Sequence, residues 1–561
     1  MKSSTTCSPI LSFPFEVVMI RPTPKPKALV PIFFSLKKTT PLQMNIKTMK
    51  TSILHFFSNI IDPPLNPSVD PIHVFQGNLA PVEEMEPTDC QVIEGKLPLS
   101  LNGVYIRNGP NPLHQPCRAL HLFEGDGMLH SLRLSNGRAT YCNRYVKTYK
   151  YMLEREVGFP MVPNMLSGLY GLLDIVRFCV CITRIITGHL DIMKGIGVAN
   201  TSLAFFSGKL FALCESDLPY IVNVTQQGDI ETLGRWDIDK KLLSTMTAHP
   251  KFDKETKETF AFSWSFAFPH LTFFRIDEKG VKQKEVPIFS IHKPNLIHDF
   301  AITKRFAIFH ETQLVFSLPK VLFGRGAPLV YEPKKSTRIG ILPRYAKCDS
   351  ELKWFEVPGF NASHIINAWE NGDEEIVVVA SNIMSLENFL NKKKLDVVLE
   401  KVKINTKTGN VCRNILSTRN LELGSINKAY IGKKTRYLYL GVLEETPKTS
   451  GLVKIDLETG IEIGRRFYGP GCFGGEPLFV RRNGEEDEDV EFNDEDDGFV
   501  MTYVHNEQTD ESIFLMMDAK SPDFTTIAAV KLPRRVPYGF HGLFLTNWVL
   551  DNSLDNSSRR D

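Results

Sequence analysis

GLVKIDLETGIEIGRRF, from Gly451 to Phe467, is the segment on which the fold turns. Val453, Ile455 and Leu457 alternate with Lys454 and Asp456, Gly460 breaks the run, and Ile461 and Ile463 resume it around Glu462. A period of two interrupted by a glycine marks two short strands joined by a tight turn, each with one face buried. The phrase recurs as YIVNVTQQGDIETLGRWDI (Tyr220 to Ile238), TFFRIDEKGVKQKEVPIF (Thr272 to Phe289) and EKVKINTKTGNVCRNIL (Glu400 to Leu416). Looser copies surround Gly137 (HSLRLSNGRATYCNRY) and Pro522 (IFLMMDAKSPDFTTIAAVKL). Gly228 and Gly280 lie about 50 residues apart, as do Gly409 and Gly460, a repeat length of propellers and solenoids. The longer gaps, Gly137 to Gly228 and Gly280 to Gly409, each need an insertion or an unmarked blade. Six visible hairpins and one hidden near Ile339 to Glu356 predict an all-β fold, a β-propeller of about seven blades.

Phase then decides where four histidines point. His249 follows Gly228 by about 20 residues, His298 follows Gly280 by slightly fewer, and His541 follows Pro522 by a similar interval. In a propeller one outer hairpin leads to the innermost strand of the next blade, so this offset lands on the central channel. His364 follows the hidden blade and obeys the same rule. Glu422 after Gly409, Glu476 after Gly460 and Glu215 ahead of Gly228 take corresponding places in other repeats. Histidines and glutamates alternating around one axis predict a metal site whose ligands are oriented by carboxylates. The other histidines of the chain share no such phase.

The ten cysteines are scattered without a C-x-x-C pair, which excludes a thiolate-rich structural zinc site. Four imidazoles suit iron, copper, nickel or zinc, and donor type alone does not choose among them. An octahedral ion with four protein ligands keeps two positions free, as activation of dioxygen or water requires. Each glutamate is suited to accept the Nδ1–H of a ligating histidine and present its Nε2 to the metal.

These residues lie in blocks that resemble those of the carotenoid cleavage dioxygenases. The blocks are MTAHPKFD (Met246 to Asp253), LIHDFAIT (Leu296 to Thr303), HIINAWE (His364 to Glu370), GGEPLFV (Gly474 to Val480) and VPYGFHGLF (Val536 to Phe544). NGVYIRNGPNP (Asn102 to Pro112) and HLFEGDGMLHSLRL (His121 to Leu134) are similar to the family's N-terminal blocks. CESDLPYIV, FYGPGCFGGEP, MDAKSP and LPRRVPYGFHGLF resemble the plant plastid type-four subgroup, and the likeness runs from about Asn66 to Asn547. The resemblance implies a seven-bladed propeller with one Fe(II) per chain on its axis, held by His249, His298, His364 and His541. It further implies that Glu215 orients His298, Glu422 orients His364 and Glu476 orients His541. Dioxygen would be the co-substrate, and a carotenoid or apocarotenoid would be split at one double bond into two carbonyl products. The 9,10 or 9',10' bond is the first expectation, with 11,12 cleavage of a 9-cis-epoxycarotenoid or 7,8 cleavage as alternatives. A propeller that binds a carotenoid or lipid without cleaving it is the competing class. Phe123, in the HLFEGDGM block, and Phe540, beside His541, are the expected walls of the substrate tunnel. Ser363 and WSFAFPHL (Trp264 to Leu271) depart from the subgroup's pattern and belong near that channel.

Near-balanced charge, +2 overall, and the lack of a basic block exclude a nucleic-acid partner. Residues 1–61 are rich in Ser, Thr, Lys and Pro with Glu16 as their one acid, the composition of a plastid transit peptide. One domain is expected over 62–550, with a disordered tail over 551–561. The acidic run from Gly484 to Gly498 reads as a solvated loop. Residues 159–194 break the strand rhythm. There NMLSGLYGLLDIVRFCVCITRIITGHLDIM is apolar over most of a helical surface, which predicts a helical insertion capping one face. Such a helix covers a blade end or dips as a monotopic patch into a lipid surface, and Leu172 and Ile175 are its expected lipid-facing residues. A polyene must be collected from lipid, so a plastoglobule or plastid membrane is the expected surface. No motif fixes an oligomeric state.

Overall fold

The Gly451–Phe467 phrase folds as strands Thr449–Asp456 and Ile461–Phe467, paired antiparallel. Gly460 turns between them at φ 71°, a left-handed conformation that glycine adopts without steric cost. The computed structural model describes residues 71–550 except 116–119, 165, 243–244, 324, 392–394, 483–493 and 548. The expected leader and tail, and most of the acidic run, lie outside the described residues.

Gly228, Gly280 and Gly409 likewise join the third and fourth strands of four-stranded antiparallel sheets. Counted from the inner strand, blade 2 runs from Ser202–Phe206 to Ile230–Arg235 and blade 3 from Lys251–Phe252 to Val286–Ile288. Blade 4 runs from Ala301–Ile302 to Lys353–Glu356, and blade 5 from Ala362–Asn371 to Val411–Ser417. A 14-stranded sheet carries the other three. Within it, blade 6 spans Leu421–Ser425 to Ile461–Phe467 and blade 7 spans Leu478–Arg481 to Thr526–Lys531. Blade 1 combines Gly103–Pro110, Gly127–Ser135 and Arg138–Tyr145 with the late strand Gly542–Thr546. Strands Met85–Gly95 and Cys472–Gly474 bridge neighbouring blades.

The alternation that marked the outer hairpins follows from one-sided burial. Ile461–Phe467 is half solvated, whereas Gly103–Pro110 and Glu375–Ile383 are covered on both faces and show no such alternation. The hidden hairpin is Arg338–Pro343 with Lys353–Glu356, and no glycine marks its turn. Between blades 3 and 4 the contacts are aromatic. Phe262 and Phe309 both pack on Phe300 at ring distances of 5.4 and 5.7 Å, and all three rings are fully buried.

The helical insertion is narrower than the 159–194 expected, and it has a companion. Helix α1 (Tyr149–Val157) starts at Thr148, whose hydroxyl accepts from Tyr151 N, and ends at the left-handed Gly158. Helix α2 (Gly171–Ile186) begins beside Asp174, which accepts from Tyr170 N at 3.0 Å and pairs with Arg177. Lys150 on α1 is buried between Asp126 (3.0 Å) and Glu154 (2.8 Å). The second oxygen of Glu154 accepts from Met161 N and Val162 N, so this cluster fastens the insertion to blade 1.

Candidate metal centre

One residue from each blade reaches the central channel. His249 and His298 lie just before the inner strands of blades 3 and 4, His364 lies within that of blade 5, and His541 immediately precedes that of blade 1. Glu422 sits on the inner strand of blade 6, and Glu476 sits just before that of blade 7. Glu215 is placed differently from the other two. It follows the second strand of blade 2, Lys209–Leu213, because Leu213 pairs with Ser202 and an antiparallel strand returns to the end from which the inner strand set out. The seven side chains therefore share one end of the channel.

The four imidazoles converge, with their ligating nitrogens all within 4.8 Å of one another. Nε2 of His298 is 3.0 Å from Nε2 of His249 and 3.2 Å from Nε2 of His364. On the far side of the rings, His298 Nδ1 pairs with Glu215, His364 Nδ1 with Glu422 at 3.1 Å, and His541 Nδ1 with Glu476 at 2.9 Å. No carboxylate among the described residues pairs with His249.

Each carboxylate is itself fixed. Glu476 also accepts from Gly542 N at 2.8 Å, and Glu422 accepts from the Ser363 hydroxyl and from Leu423 N. Leu423 stands in the left-handed region at φ 56°, a strained backbone of the kind that concentrates at functional sites. Burial drives His249 well below the usual imidazole range, so its ring is neutral, as a metal ligand must be. Burial also opposes the charge on His298, but Glu215 outweighs it and raises that ring, while His298 lowers Glu215 in return.

The donor set fits a metal ion. With each Nδ1 turned to its glutamate, the Nε2 atoms of His298 and His364 face each other at 3.2 Å, so both can bind one cation between them. Among the described residues the group that could hold the ion is these four histidines, with no thiolate or carboxylate among its donors.

Phe123 and Phe540 meet edge to face at 5.4 Å. The strand starts at Gly542, so Phe540 lies in the irregular backbone before it and is free of alternation with His541. Asn200 Nδ2 donates to the carbonyls of Phe123 and Gly125, and the buried Glu124 accepts from Leu166 N and Ser167 N. Burial pushes the Glu124 carboxyl up to about 7. Reading the sequence for ligands missed Glu124, Asn200 and the role of Ser363. It also missed Asp299 and Lys251, although both stand inside histidine blocks. A cavity of about 160 Å³ beside the ring is lined by Lys251, Ile365, Gly424, Glu476 and Gly542.

Comparison with known proteins identifies the family. Residues 79–546 match the family described as retinal pigment epithelial membrane protein. A relative from Arabidopsis thaliana, "Probable carotenoid cleavage dioxygenase 4, chloroplastic", is 53% identical over 506 residues, covering 88% of this chain and 84% of that protein. A chloroplastic 9-cis-epoxycarotenoid dioxygenase of Oryza sativa subsp. japonica is 47% identical over 520 residues, covering 90% and 81%. In fold, the crystal structure of Pseudomonas brassicacearum lignostilbene dioxygenase superimposes with a TM-score of 0.72 at 23% identity, covering 86% of this chain and 100% of that one. The family is metal-dependent, in keeping with the four-histidine cluster. The chain belongs to this family, the carotenoid oxygenases, and is an enzyme of its carotenoid cleavage dioxygenase class.

Proposed function

We propose that His249, His298, His364 and His541 hold one Fe(II) per chain, and that the enzyme uses dioxygen to cleave the 9,10 or 9',10' double bond of a carotenoid or apocarotenoid. The observation that carries this reading is the ring of four histidines and three glutamates, one from each blade. When bound, the ion supplies open coordination positions for dioxygen chemistry. The protein's own part is positional. Glu215, Glu422 and Glu476 hold three rings in the tautomer that turns Nε2 inward. Phe123 and Phe540 form an apolar wall that excludes water and seats one stretch of the polyene. The 53% identity to a carotenoid cleavage dioxygenase and 47% to an epoxycarotenoid dioxygenase support cleavage of a carotenoid, and the choice of the 9,10 bond rests on the resemblance to the type-four subgroup.

The test is metal analysis of the purified chain, together with mass analysis of the products formed from a panel of carotenoids under ¹⁸O₂. Iron at one per chain and labelled C9 ketone or aldehyde products are expected. Products from the 11,12 or 7,8 bond would move the substrate assignment, and stoichiometric zinc or copper would overturn iron.

Phe123→Ala should keep iron content and melting temperature while slowing turnover or blurring the cleavage position. A displacement of about 1 Å from the productive geometry can cost about 100-fold in rate. Unchanged rate and product pattern would remove Phe123 from the tunnel.

We also infer contact with plastid lipid, a plastoglobule or membrane surface, through the exposed apolar face of α2. Leu172 (61% exposed), Val176 (49%) and Ile186 (79%) lie on that face, whereas Ile175 is half-covered. Among the described residues no helix is long and apolar enough to cross a membrane, so a monotopic contact is the form that fits. In blade 3 the terminal pairs Trp264 with Leu271 and Leu271 with Ile288 place Phe266, Phe268 and Phe289, all exposed, at the same end as His249. Ion-free flotation with vesicles of plastid galactolipid should show binding by the parent and its loss in Leu172→Glu/Val176→Glu, with iron retained. Equal flotation of a folded double variant would refute the contact. The chloroplastic descriptions of both relatives support the plastid location.

A further inference from the structure

Three of the ligand histidines have a carboxylate behind the ring, and His249 does not. A fourth carboxylate nevertheless stands within the cluster. Asp299, which directly follows His298, is 2% exposed and makes three contacts. Its Oδ1 lies 2.7 Å from Lys251 Nζ and accepts from Phe300 N at 2.7 Å, while its Oδ2 accepts from Ile365 N at 3.0 Å. Lys251 is two residues beyond His249, and Ile365 is the residue after His364. One buried side chain thus ties together the segments that bear three ligands, from blades 3, 4 and 5.

The need for that tie is visible in the backbone. Where the inner strand of blade 5 carries His364, its ladder to the next strand slips twice, between Ala362 and His364 and again between Ile365 and Asn367. Such bulges re-aim side chains at the cost of regular pairing. Asp299 holds the Ile365 N–H between the two slips. Blade 3 has the opposite weakness: its inner strand is only Lys251–Phe252, so little ladder holds the segment that carries His249. The Lys251 ammonium supplies a charge-assisted bond there, of the stronger kind.

We propose that the Asp299–Lys251 pair is a positioning device that sets the spacing of His249, His298 and His364, acting through their backbone where the glutamates act through the rings. It rests on the reading of the four histidines as the iron site. The test measures Fe(II) affinity of the folded, iron-free chain by competition with a chelator, in the parent and in Asp299→Asn, Lys251→Met and Lys251→Arg. The double variant Asp299→Asn/Lys251→Met is added because it leaves no unpaired buried charge and folds most readily of the set.

Affinity should fall about 10–100-fold in both neutral single variants and in the double variant, the usual effect of losing an orienting partner, and return toward the parent in Lys251→Arg. A pair with a purely structural role would lower the melting temperature of the iron-free chain and leave the affinity of the folded fraction unmoved. Affinities within twofold of the parent in the double variant overturn the proposal, whatever the melting temperatures. A parent that binds no Fe(II) at all would instead overturn the iron reading beneath it.

Discussion

His298→Ala is expected to remove both iron and carotenoid cleavage, whereas Glu215→Gln should leave a folded protein that binds iron more weakly. The ranking follows from what each side chain touches. His298 Nε2 lies within 3.2 Å of the Nε2 atoms of His249 and His364, so its loss opens one side of the proposed donor set. Glu215 touches only the far nitrogen of that ring. Glutamine in its place still offers an oxygen to the Nδ1–H but no negative charge, and loss of such a partner typically costs about 10–100-fold in affinity or activity. Iron per chain by elemental analysis and turnover under saturating dioxygen separate the cases. Full occupancy and full turnover in His298→Ala would end the assignment of the site. Equal damage in both variants would mean that the charge of Glu215, and not its geometry, does the holding.

The parts of the molecule legible in its sequence were those that water had marked. Around Gly409 and Gly460 one face of each outer hairpin is solvated, so apolar and charged residues alternate and the turn needs a glycine. Strands inside a blade, such as Glu375–Ile383, are buried on both faces and carry no alternation, so nothing in the sequence marked them. Blade 4 stayed hidden because its turn lacks glycine and because Leu314–Tyr331 interrupts it. The histidines were found because a repeat fixes phase. Glu215 fits the phase argument less well, since it approaches the ring from a second strand that runs the other way. Asp299 and Lys251 were in view, inside LIHDFAIT and TAHPKFD, but nothing in a sequence shows that one carboxylate spans three blades. The extent of α2 was blurred for a different reason. Its flanks are held by tertiary contacts, Leu169–Tyr170 by Arg325–Gly326 and residues 166–167 by Glu124, not by helical pattern.

Lys150→Met should produce the largest loss of stability among single changes remote from the metal. Lys150 is 8% exposed, and it compensates two carboxylates, Asp126 and Glu154, that are buried with it. Those two charges hold its ammonium pKa above the usual lysine range, although burial works against it. Methionine preserves much of the apolar stem and removes the charge, leaving two carboxylates facing each other out of water. Breaking a buried pair in this way costs about 3–5 kcal/mol. The deficit should depend on pH in a definite sense. A buried acid without its cation binds protons more tightly in the folded chain than in the unfolded one, so the variant regains stability as the pH falls. Unfolding midpoints in urea at pH 8 and pH 5.5 therefore should show a wide gap from the parent at the first and a narrower gap at the second. Iron content measured below the transition should stay at the parent's level, because Glu154 and Asp126 hold Met161, Val162 and Leu113 and touch none of the seven ring residues. A variant as stable as the parent at pH 8 would show that the cluster is solvated in solution and that the insertion is fastened to blade 1 by apolar packing alone.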